Sequence, residues 1–130
     1  MQLDYIDNIN EYGEDVVRLY DFSMSEAILF RDAVRQILLT DKRELPLASL
    51  EFIEPRNCYL TLRLANIDEG IVSDDQVNFY CYLTFDGYEE LLLRVEPFCH
   101  KETKAYRVLY EDIDNPTDFL FAPAGVWDEE

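Results

Sequence analysis

Glycine is scarce in this chain, with four in 130 residues, at positions 13, 70, 87 and 125. None falls in a G-x-G-x-x-G, Walker or G-x-S-x-G pattern, which excludes the glycine-rich cradles of nucleotide enzymes and the nucleophile elbow of hydrolases. Positive charge is equally thin. Eleven Lys and Arg stand against 28 Asp and Glu, a formal net of −17, so the bulk surface repels nucleic acid and anionic membranes. There is one histidine, His100, and the three cysteines, Cys58, Cys81 and Cys99, show no CxxC spacing of a zinc or redox site. Reduced, structural thiols are expected. Long hydrophobic runs are missing too: the leucines at 91–93 fall far short of the roughly 18 apolar residues a membrane helix needs. The first residues lack the basic start and apolar stretch of a secretory signal, so a soluble, cytoplasmic protein is expected.

What the chain does have is core material. Apolar residues make up 48%, with nine Tyr and eight Phe, enough to fold despite the charge. The length suits one domain over 1–130, with 1–14 read as an irregular acidic arm or a short strand. Acidity concentrates in 1–30, 64–110 and 111–130, whereas 31–63 is nearly neutral, with five acids and six bases.

Residues 16–22 form a β-branched and aromatic run suited to a strand. Ser23 and Glu26 follow in the S-x-x-E pattern of a helix capping box. Ala27, Phe30, Val34, Ile37 and Leu38 then recur at steps of three and four, which predicts a one-faced helix ending near Thr40. A charged connector at 41–46 leads to a short strand at 50–54, which Pro55 ends. Next, Cys58, Leu60, Leu62 and Leu64 alternate with Tyr59, Thr61, Arg63 and Ala65. After a loop at 68–75, the apolar series Val77, Phe79, Cys81, Leu83 and Phe85 alternates with Asn78, Tyr80, Tyr82 and Thr84. The two strands are expected to pair as an antiparallel hairpin. Tyr88, Leu91, Leu92, Val95 and Phe98 carry helical spacing, which predicts a second helix from Tyr88 to about Glu96, with Pro97 as its stop. A polar turn at 99–104, a strand at 105–110, an acidic loop at 111–118, a short strand at 119–121 and a turn at 122–125 complete the chain, the last returning Val126 and Trp127 to the body. The fold class expected is α+β, a mainly antiparallel sheet with two helices packed on one face.

One face of the strand pair is apolar and the other carries Tyr59, Tyr80, Tyr82 and Arg63 with Thr61, Thr84 and Asn78. Tyr and Arg combine large contact area with polar handles and are enriched at binding hot spots. Tyr59, Arg63, Tyr80 and Tyr82 are therefore the candidate partner-binding residues. The plainer alternative is a half-covered sheet face beneath the N-terminal arm or the Trp127 segment. Cys99 and His100 suggest a nucleophile and base, but adjacent residues usually point apart and no third orienting group is identifiable. Asp112, Asp114, Asn115 and Asp118 start like an EF-hand but lack its glycine and closing Glu, and Asp68, Glu69, Asp74 and Asp75 around Gly70 form a looser set. No catalytic residue, metal ligand or cofactor is assigned. The expectation is a small acidic non-enzymatic protein-interaction module that meets a basic protein partner and engages neither nucleic acid nor membrane. In size and charge it is similar to bacterial inhibitors and immunity proteins that neutralise nucleases, a likeness of composition without a shared motif. The alternative is a small-ligand or calcium-binding domain, or a small enzyme, with a site near Cys99, His100 and the 111–118 loop.

Overall fold

The computed structural model describes residues 1–7 and 14–125. Among them lie two helices and nine strands in two mixed sheets, so the α+β class holds. The first sheet runs in the order β4-β1-β2-β9-β8, with β1 Gln2–Ile6, β2 Asp15–Tyr20, β4 Glu54–Pro55, β8 Arg107–Asp112 and β9 Asn115–Ala122. The second runs β3-β5-β7-β6, with β3 Leu45–Pro46, β5 Tyr59–Leu64, β6 Gly70–Val72 and β7 Asn78–Leu83. Four of the seven pairings are antiparallel; β1 with β4, β2 with β9 and β5 with β7 are parallel.

The parallel pairing of β5 and β7 corrects the expected hairpin. The segment between them is not a plain loop: Gly70–Val72 forms β6, which lies on the far side of β7 and runs antiparallel to it. The chain therefore reverses twice before β7, and β7 enters the gap beside β5 in the same direction. Three residues are too few for an alternating pattern, so β6 leaves no periodic trace among the flanking acids. The expected strand at 50–54 is also replaced. Leu47–Ser49 forms a 3-10 turn, and Pro55 sits within the two-residue β4 instead of ending a strand. Pro55 and Pro46 both lie on sheet edges, where the missing N–H does no harm.

Helix α1, Met24–Ala33, begins at the predicted capping box. The Ser23 hydroxyl accepts from the Glu26 N–H, and the Glu26 carboxylate accepts from the Ser23 N–H. It passes directly into a π-helical stretch, Val34–Thr40. Helix α2, Phe85–His100, starts three residues before Tyr88, capped by the Thr84 hydroxyl accepting from the Gly87 N–H, and runs past Pro97. Proline removes the bond to the carbonyl four residues earlier, here that of Leu93. Leu93 is 66% exposed, so water can take that place. Cys99 and His100 consequently belong to a helix end, not a turn.

The inner faces of both sheets and the buried sides of both helices share one core. Tyr5 of β1 meets Phe79 of β7, ring centroids 4.7 Å apart, bringing the sheets together at one end. At the other, Phe121 of β9 touches Phe22, Phe30 of α1 and Phe98 of α2 at 4.2, 5.5 and 5.1 Å. Asn115 closes the free edge of β6: its side-chain amide donates to the Glu69 and Ile71 carbonyls, both at 2.9 Å.

Candidate functional site: the outer face of the four-stranded sheet

Alternation along β5 and β7 buries Leu60, Leu62, Phe79, Cys81 and Leu83. It turns Tyr59, Thr61 and Arg63 of β5, and Asn78, Tyr80 and Tyr82 of β7, to the other face. The parallel register sets Tyr59 beside Asn78, Thr61 beside Tyr80 and Arg63 beside Tyr82. The flanking strands extend these rows, so Pro46, Thr61, Tyr80 and Val72 form one continuous line across all four strands. Pro46 and Val72 are exposed, Thr61, Tyr80, Tyr82 and Arg63 are half-buried, and Tyr59 is 51% exposed.

Three of the four predicted residues form one constellation. The Arg63 guanidinium lies 4.4 Å from the centre of the Tyr80 ring and 5.9 Å from that of Tyr82. Its Nη1 donates to the Tyr82 hydroxyl at 3.0 Å and its Nε to Glu44 Oε1 at 2.8 Å. These two bonds hold the guanidinium charged and fix its plane over Tyr80. Tyr59 joins the same face two rows further along β5.

Beneath the platform sits Tyr88 of α2, fully buried. Its hydroxyl accepts from the Arg63 N–H at 3.0 Å and lies 2.7 Å from the Cys81 carbonyl oxygen and 2.9 Å from that of Arg63. Burial, and then the adjacent Cys81, push its ionisation far above the ordinary tyrosine range, so it stays a neutral hydrogen-bonding wedge. At the far end of the platform Asp75 accepts from the Asn78 N–H at 2.9 Å, the Val77 N–H at 3.0 Å and the Asn78 side-chain amide at 3.1 Å. Those donors hold its carboxyl well below the usual carboxylate range. A permanent negative charge thus borders Tyr59 and Asn78, as Glu44 borders Arg63.

No protein-family model and no curated protein matches this chain.

The residues of the alternative site are not brought together. His100 Nε2 lies 2.6 Å from Glu96, which also takes the Arg31 guanidinium at 2.9 Å, while Cys99 is buried with its thiol toward the Val95 carbonyl at 3.8 Å. Burial raises the Cys99 pKa, the reverse of what an activated thiolate requires. Segment 111–118 is strand rather than loop except at 113–114, the turn between β8 and β9, where the Asp112 carboxylate accepts from the Asp114 N–H. Among the described residues no group of three or more His, Cys, Asp or Glu is arranged to hold a metal ion. Cys58 and Cys81 lie buried on the apolar strand face, their thiols pushed up to about 12 by desolvation.

Sequence reasoning missed Glu44, Pro46 and Val72. Pro46 and Val72 reach the platform from β3 and β6, strands of two and three residues that carry no periodicity, and Glu44 immediately precedes β3. Glu44 and Pro46 stood out only as parts of a charged, proline-closed connector. The Trp127 segment, offered as a cover for the tyrosines, lies outside the described residues. The N-terminal arm, the other cover considered, contributes β1 to the opposite sheet instead.

Proposed function

We propose that this chain is a non-enzymatic protein-interaction module that binds a basic protein partner through the Tyr59, Arg63, Tyr80 and Tyr82 face. The observation that carries this reading is the pre-set Arg63 stack: a guanidinium held by Glu44 and Tyr82 over the Tyr80 ring, on a sheet face with exposed Pro46, Val72 and Tyr59 around it. Such side chains lose little freedom on binding, which favours affinity. Strand spacing sets the scale. Four strands span roughly 14 Å, and the step from Tyr59 to Arg63 covers roughly 13 Å, about 180 Å² in all. A stable interface takes about 800 Å² from each partner, so the platform is the hot-spot centre of a larger footprint. Carboxylates supply the rim. Glu44 and Asp75 stand at its two ends, and the net charge of −17 draws a basic partner in at long range.

The test is capture of a basic protein by the immobilised chain at low and high salt, followed by Tyr80→Ala/Tyr82→Ala and, separately, Tyr59→Ala. Capture should weaken steeply with salt, and both variants should lose it while keeping their circular dichroism and melting temperature. Retained capture by correctly folded variants would refute the assignment. If the double variant fails to fold, the Tyr59→Ala variant, altered at an exposed position, decides the question by itself.

A further inference from the structure

Arg18 and Arg63 each lie over a tyrosine ring, and in each case a carboxylate holds the guanidinium in place. Arg18 sits 4.1 Å from the centre of the Tyr20 ring and donates through Nε and Nη2 to Asp4 at 2.7 and 3.0 Å. Arg63 repeats the arrangement over Tyr80 with Glu44. At the far end of the platform a ring and a carboxylate stand together without an arginine of this chain. Tyr59 is 51% exposed, and among the described residues no cation lies over its ring and nothing bonds its hydroxyl. Asn78, its partner across the parallel register, donates its side-chain amide to Asp75 Oδ2, which brings that carboxylate to the same corner of the face.

The two carboxylates of the platform differ in what they still offer. Glu44 is neutralised by Arg63, whereas every donor to Asp75 is uncharged, so its negative charge is uncompensated among the described residues. Its Oδ1 takes the Val77 and Asn78 backbone N–H groups, while Oδ2 takes the Asn78 side-chain amide and keeps a lone pair for a further donor. A guanidinium suits both groups at once, because it stacks by its flat face and donates within its own plane; an ammonium is a compact, strongly hydrated point charge. We propose that Tyr59 and Asp75 form a receptor for one arginine side chain of the basic partner, the guanidinium stacked on the Tyr59 ring and donating to Asp75 Oδ2. This deepens the reading of the face as a partner-binding surface and rests on it.

Titration of the full ¹⁵N-labelled chain with N-acetylarginine methylamide at constant ionic strength tests it. Amide shifts should centre on 59 and 75–78, and the δ-methylene protons of the probe should move upfield in the ring current of Tyr59. Tyr59→Leu and Asp75→Asn should each weaken binding about two- to fivefold, and the lysine analogue should bind about twofold more weakly or worse. Tyr59→Phe keeps the ring and should bind like the parent chain. Tyr59 and Asp75 are exposed, and Asn at 75 still accepts the two backbone N–H groups; should that variant disturb the turn, the two Tyr59 variants decide the question. Absent shifts, shifts centred elsewhere, or equal binding by the lysine analogue or by Tyr59→Leu would each overturn the proposal. The wider reading fails separately: a chain that captures no basic protein while the titration succeeds loses the face as a partner surface and keeps the arginine site. Capture that Tyr80→Ala/Tyr82→Ala abolishes and Asp75→Asn leaves whole keeps the face and removes the arginine from Tyr59.

Discussion

Replacing Tyr88 by Phe removes one oxygen from the interior and nothing else. That oxygen lies between the Arg63 N–H and the Cys81 carbonyl, at 3.0 and 2.7 Å, and its single proton goes to the nearer carbonyl. The parallel register already makes the Arg63 N–H and the Cys81 carbonyl partners in the β5–β7 ladder, so what is lost is a second partner for each. Each such bond contributes about 0.5–1.5 kcal/mol. The net loss should be about 1–3 kcal/mol, a large share of the roughly 5–15 kcal/mol that holds a domain together. With a urea slope of about 2 kcal/mol/M, the unfolding midpoint should fall by about 1 M at unchanged slope. Tyr82→Phe serves as the control. Its hydroxyl bonds a half-exposed guanidinium, so its effect should stay within about 0.5 kcal/mol. A Tyr88→Phe midpoint that matches the parent chain would refute the wedge and leave α2 joined to the site strands by apolar contact alone.

Gly70 should tolerate nothing larger. Its φ is +81°, and an added Cβ would fall 2.6 Å from Tyr110 Cε2 and 2.8 Å from Asn115 Nδ2, so Gly70→Ala should cost more than about 2 kcal/mol by denaturant unfolding. Asp118 behaves oppositely to Asp75: burial, then Glu111 and Glu14, raise its pKa to about 6. The folded chain therefore binds that proton more tightly than the unfolded chain, whose Asp titrates near about 4, and stability from this group is lost as pH rises between those values. Asp118→Asn should raise the melting temperature at pH 7 and leave it nearly unchanged at pH 4; an unchanged value at pH 7 would show the carboxylate to be well solvated.

Local signals are legible in the sequence because they act over a few residues. Ser23 and Glu26 cap α1 as their spacing requires, and the alternation of 58–65 and 77–85 sorts Tyr59, Arg63, Tyr80 and Tyr82 onto one face. Pairing direction is illegible, because it depends on where β6 inserts. Pro97 misleads through its known cost inside helices, part of which is relieved where the residue that loses its bond, Leu93, is open to water. Assembly of the platform is half legible. Periodicity places Arg63 and Tyr82 on the same side, yet the Glu44 carboxylate that orients the guanidinium comes from 19 residues earlier, through a two-residue strand.

The parallel union of β2 with β9 joins residues 15–20 to residues 115–122. A ribosome therefore releases the β1–β2 hairpin long before its neighbour exists, and Val17 and Leu19 wait with their inward side bare while about a hundred residues are made. At ordinary synthesis speeds of about 5–20 residues per second that wait lasts several seconds. Completion of the five-stranded layer belongs to the moment β9 leaves the exit tunnel, so closure of that layer waits on residues 115–122.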